Sequence, residues 1–200
     1  MNESDFQDIR GMTVYGRTME TRSLELVQFL REHNLPEPVS VEYRPHSGCE
    51  TGNCFRNVEA QVQQAKGRMQ TGWAFVEYIG VSIHTVAHAI WVTRFGKQVD
   101  ITPWEFPPKH RVLFLPDNRV AAKRGYTAGC RTVFTKDERL RAMELFDDEL
   151  GKIFDEYFDG MGKPSKEIPS SRFAEAAKRV GLPMEIAKQR VDYAFKNYGH

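Results

Sequence analysis

The chain holds 200 residues, enough to bury a core without disulfides or metals, and its 40% apolar and 28% charged residues exclude global disorder. Lysine plus arginine number 28 against 27 acidic residues, a formal net charge of +1 that excludes a uniformly basic nucleic-acid coat or a polybasic membrane binder. No apolar run approaches the roughly 18 residues needed to cross a bilayer, Met1 to Asp8 lacks a secretory pattern, and three cysteines make no disulfide framework, so a cytoplasmic chain with free thiols and no membrane partner is expected.

Residues 1 to 20 are polar and unpatterned. From Ser23, Leu24, Val27 and Leu30 recur at helical spacing with Leu26 beside them, until Asn34 and Leu35-Pro36 stop the helix. Val39, Val41 and Tyr43 alternate as a short strand, and Pro45 to Asn53 reads as a loop. Cys54 to Lys66 is predicted helical, with Phe55, Val58, Val62 and Ala65 on one face and Gly67 as the stop. Trp73 to Ile79, Thr85 to Thr93, Lys97 to Thr102 and Arg111 to Leu115 are predicted strands, rich in aromatic and β-branched residues. Thr135 to Glu138 has the form of a capping box, ahead of Leu140, Met143, Phe146, Leu150, Ile153, Phe154 and Tyr157 at helical spacing. Gly160 to Ser170 reads as a linker. Ser171 to Val180 and Met184 to Tyr198 then form two helices about the Gly181-Leu182-Pro183 turn. The pattern is α+β: a core domain over residues 1–134 and a helical extension over 135–200, with no internal repeat.

Three residues carry candidate chemistry. Cys54 falls in the first turn of its helix, where unpaired amides and the macrodipole favour a thiolate and can form part of an oxyanion hole. A small buried cysteine that only fills space is the plainer alternative. His88 lies on a strand with Val86, Ile90 and Val92 on the same face. If Arg94-Phe95-Gly96 form the following loop, Gly96 takes the left-handed position, Ile90 opposes Asp100 and His88 opposes Thr102. His88 and Asp100 then become diagonal neighbours on one face. A two-residue Phe95-Gly96 loop would send Asp100 to the other face, so the parity of the register decides the matter. A carboxylate on one imidazole nitrogen would hold the tautomer and stabilise the imidazolium formed when Cys54 loses its proton.

The runs Gly52-Asn53-Cys54-Phe55-Arg56-Asn57-Val58, Gly72-Trp73, His88-Ala89-Ile90-Trp91, Asp100-Ile101-Thr102-Pro103 and Phe114-Leu115-Pro116-Asp117 resemble a set of small bacterial and phage proteins of the transglutaminase-like superfamily. The resemblance covers about residues 48 to 118. It implies a papain-like core, in which a helix carrying the cysteine packs on an antiparallel sheet. It further implies Cys54 as nucleophile, His88 as base and Asp100 as orienting carboxylate. Asn53, Asn57 and Trp91 are candidates for substrate binding or the oxyanion site, Asn57 either pointing into the site or bonding a loop carbonyl.

The expected activity is attack on an amide bond of a protein or peptide through a thioester, as a peptidase or deamidase rather than a cross-linking transglutaminase. No metal or cofactor is expected. His84 and His88 are four apart, but on a strand they stand roughly 13 Å from each other. Cys49, Cys54 and His46 have no second ligand pair at a familiar zinc spacing. Cys49 beside Cys54 also suggests a regulatory disulfide. The alternative function is a non-catalytic regulator that binds protein or DNA with residues 171–198, where Lys178, Arg179, Lys188, Arg190 and Lys196 add basic character. The plainer reading of that stretch is a helical hairpin packed through Phe173, Val180, Ile186, Val191 and Phe195.

Overall fold

A computed structural model describes residues 6–9, 12–122, 129–157 and 167–198. These residues fall into two compact units. The first spans residues up to Ile79 together with Ile83–Ala121, and the second comprises Gly80–Ser82 and Ala122 onward.

The first unit contains β1 (Phe6–Ile9), β2 (Met12–Thr18), α1 (Leu24–Glu32), β3 (Val39–Tyr43), α2 (Cys54–Ala65), β4 (Arg68–Tyr78), most of β5 (Ser82–Val92), β6 (Gln98–Asp100) and β7 (Arg111–Pro116). Its strands run in the order β1-β2-β4-β7-β3-β6-β5, and a further β4–β5 pairing closes β4, β7, β3, β6 and β5 into a ring. Within the ring each strand has a neighbour on both sides, so none of these five is an edge on which stray strands pair. Most neighbours are antiparallel, but β3 and β6 run parallel, with Tyr43 opposite Asp100. The sheet expected to be antiparallel is therefore mixed.

Local chemistry explains several boundaries. The Ser23 hydroxyl accepts a bond from the Leu26 amide at 3.1 Å and starts α1, whose Leu26, Phe29 and Leu30 are buried. Full burial of one such side chain is worth about 1.5–3 kcal/mol. Asn34, at φ 51°, turns the chain out of that helix. Residues 12–18, unpatterned in sequence, form β2 because Gly16, Arg17 and Thr18 pair with Tyr78, Glu77 and Val76 of β4. Gly16 is needed at that crossing: a Cβ there would meet the Phe106 ring at 2.5 Å.

The second unit holds β8 (Arg131–Val133), α3 (Glu138–Tyr157), α4 (Ser170–Val180) and α5 (Met184–Tyr198). It begins earlier than the change of sequence character near Thr135 suggests, because the amides of Phe134 and Thr135 bond the Val81 carbonyl at 2.7 and 3.1 Å. The cap of α3 also differs from expectation. Asp137, not Thr135, accepts the Leu140 amide at 2.9 Å, while Thr135 bonds the Asp137 amide. At the α4–α5 turn, Gly181 adopts the left-handed conformation and the Leu182 amide reaches back to Ala177 at 2.9 Å. Most of the expected linker at Gly160 to Ser170 lies outside the described residues. No helix among the described residues is long and apolar enough to cross a membrane.

Candidate active site

The β5–β6 hairpin has the register on which the sequence argument turned. Trp91 pairs with Val99 and Val92 with Gln98. Thr93 and Lys97 close the loop at 2.9 Å, and Gly96 sits at φ 83°. His88 and Asp100 consequently share a face. The His88 Nε2 lies 3.0 Å from Asp100 Oδ1, and both side chains are buried. The ring N–H is not aligned with that oxygen, so the contact is a close charge pair rather than a straight hydrogen bond.

Three further groups hold this pair. Thr102 donates its amide to Asp100 Oδ1 at 3.1 Å, and Trp104 donates its indole N–H to Oδ2 at 2.7 Å. Trp104 also lies against the imidazole, ring centroids 4.6 Å apart, and Phe114 approaches it edge-on at 6.5 Å. Trp104 is the site residue that sequence reasoning missed. Its position four residues after Asp100, beyond the Pro103 stop, is the only signal, and loop side chains have no periodicity from which to read direction.

Cys54 opens α2 with its N-cap at Asn53, and the chain enters through Gly52 at φ 78°. Its Sγ sits 4.0 Å from the carbonyl oxygen of Ala87, the residue before His88. Val58, one turn further on, is fully buried with Ala89, Val99 and Ile101, which seats the helix on β5 and β6. Burial alone would drive His88 toward its neutral form. The negative charge of Asp100, and after it that of Cys54, outweighs burial and pushes its pKa up to about 10. The imidazole and carboxylate are thus together, and Cys54 is near enough to act on the charge of His88, although α2 itself seats on Ala89, Val99 and Ile101, which face the other side of the hairpin.

The other candidates divide. Asn53 turns its amide to the Glu50 carboxylate at 2.7 Å and makes no cap bond to its own helix. Asn57 bonds the carbonyl of Glu50 at 2.8 Å, which makes it a loop clamp. Trp91 packs in the cluster with Cys54 and donates its indole N–H to Lys66 at 2.8 Å, but strand alternation puts it across β5 from His88. Cys49 packs against the same cluster, and burial pushes its thiol up. His46 is engaged with Gln61 at 3.2 Å. Among the described residues, no three histidine, cysteine or acidic side chains are grouped to hold a metal.

In the second unit, two of the basic residues raised as nucleic-acid contacts are turned to acids of α3. Arg179 pairs with Glu149 at 2.5 Å, and Arg190 forks onto Asp147. Of the five residues expected to pack the helical hairpin, Phe173 and Ile186 are buried, Val180 and Val191 are half-buried and Phe195 is exposed, while Ala176, Ala177 and Ala187 are buried as well. No family model, curated protein or solved structure matches this chain.

Proposed function

We propose that the first unit is a papain-like, transglutaminase-like thiol enzyme of the cytoplasm that acts on an amide bond of a protein or peptide. The observation that carries this reading is the buried His88 imidazole with Asp100 Oδ1 3.0 Å from its Nε2, beside Cys54, whose Sγ lies 4.0 Å from the carbonyl oxygen of the preceding residue, Ala87. In the proposed cycle, Cys54 passes its proton to His88 and attacks the substrate carbonyl. His88 returns the proton to the leaving amine as the C–N bond breaks, leaving a thioester. A water then attacks, giving its proton to His88, and the C–S bond breaks to release the acid and the Cys54 thiol. The raised proton affinity of His88 supports the first step. The positive end of α2 faces the charge that develops on the substrate oxygen. The three free cysteines support a reducing compartment. Hydrolysis is preferred over amine transfer because water needs no second binding site.

A second reading is a non-catalytic binding module on the same fold, and the observation that favours it is the 7% exposure of Cys54. Site-resolved iodoacetamide labelling across pH separates the two. We expect Cys54 to label rapidly at about pH 6, well below the free-thiol value of about 8.5, and His88→Ala to slow it by tenfold or more. Asp100→Ala should slow it as well. Labelling at a free-thiol rate, unchanged in both variants, would replace the enzyme with the binding module.

A further inference from the structure

We propose that Asn57 and Thr102 are positioning residues that tie the start of α2 to Asp100 and so set the distance from Cys54 to His88; this rests on the thiol-enzyme reading. Asn57 follows Cys54 by three residues and therefore lies one turn below it on the same side of the helix. Its amide nitrogen donates to Thr102 Oγ1 at 3.2 Å and to the Glu50 carbonyl at 2.8 Å, while its oxygen accepts the Glu50 amide at 3.1 Å. Both side-chain protons are used, in two directions. Thr102 in turn donates its backbone amide to Asp100 Oδ1, the oxygen that faces His88. A continuous path of bonds thus runs from the loop before Cys54, through the helix that carries it, to the carboxylate that holds the histidine.

The path crosses the gap that chain connectivity leaves open. Cys54 and Asp100 belong to different elements, and the apolar packing of Val58 against Ala89, Val99 and Ile101 fixes how closely α2 lies on the sheet. Packing of that kind tolerates sliding along the helix axis, whereas a directional bond at Asn57 does not. Asn57 and Thr102 are both buried, so water does not compete for these bonds. The residue types are demanding. Aspartate at position 57 has no proton to give, and glutamine is one methylene too long to reach Thr102 and Glu50 together.

The test is Thr102→Val, which keeps the shape and the backbone bond to Asp100 but removes the acceptor for Asn57. Thr102→Ser restores that acceptor, and Thr102→Ala serves the same comparison should the valine variant not fold. Phe29→Leu, in the core of α1 away from the site, is the control for lost stability alone. We expect the Cys54 labelling rate at about pH 6 to fall about tenfold in Thr102→Val, with its pH profile moved toward that of a free thiol. Thr102→Ser should recover the native profile, and Phe29→Leu should keep it while melting earlier. A Thr102→Val profile like the native one, with His88→Ala still slow, would overturn the brace and leave the enzyme reading standing. Native and His88→Ala proteins labelling alike would overturn both.

Discussion

Asp100 has no exposed surface, and each of its oxygens has a partner: Thr102 and His88 on Oδ1, Trp104 on Oδ2. A buried carboxylate is tolerable only when donors replace its water, and the imidazolium of His88 supplies the opposite charge. This coupling has a pH signature. The pKa of His88 rises from 6.5 to about 10 on folding, so its contribution to stability is complete below about pH 6.5 and is lost as pH climbs through about 10. Urea denaturation across that window should show the native protein losing stability that His88→Ala does not lose. Parallel curves for the two would mean that the pair does not hold a proton as the geometry implies. Residue identity showed which three side chains to suspect. The Trp104 bond was hidden, because it depends on how an irregular segment turns back.

At the scale of elements, the decisive feature is the parity of one hairpin. Gly96 in the left-handed position makes the β5–β6 loop one residue longer than Phe95-Gly96 alone, and that residue keeps Asp100 on the face of His88. The sequence offered this loop beside a two-residue one, because turn chemistry is local, and the Thr93–Lys97 closure selects it. The α2–β4 junction shows the opposite case. Gly67, read as a helix stop, has φ 94°, and a Cβ there would lie 2.2 Å from the Val92 carbonyl and 2.9 Å from the Trp91 indole nitrogen. The turn is pressed against β5, which no local pattern reveals. Gly67→Ala should therefore cost at least about 2 kcal/mol in urea denaturation, more than the left-handed backbone alone demands. A loss below about 1 kcal/mol would show that the junction can move away. Strand β2 was missed for a related reason: its pairing with β4 decides its form, not the hydrophobic pattern of residues 12–18.

At the scale of the molecule, every side chain assigned to the candidate site lies in the first unit, and the second has a core of its own. Phe154 is 1% exposed there, edge-on to Phe195 at 5.4 Å. Buried Glu144 takes Ser82 at 2.6 Å and pairs with Arg131. Phe154→Ala should destabilise that unit by about 3–5 kcal/mol while the labelling profile of Cys54 stays native. A changed profile would make the second unit part of the site's machinery. The sequence by itself determined the α+β composition, the helix that Cys54 opens, the two loop lengths between which the His88–Asp100 register had to fall and the helical hairpin near the end, because each rests on periodicity, capping or turn residues within a short stretch of chain. Only the tertiary structure decided the closure of the sheet, the parallel β3–β6 pair, the membership of Gly80–Ser82 in the second unit, and the bonds of Trp104 and Asn57. Those rest on contacts between residues far apart in the chain, whose energies appear only once the backbone has brought them together.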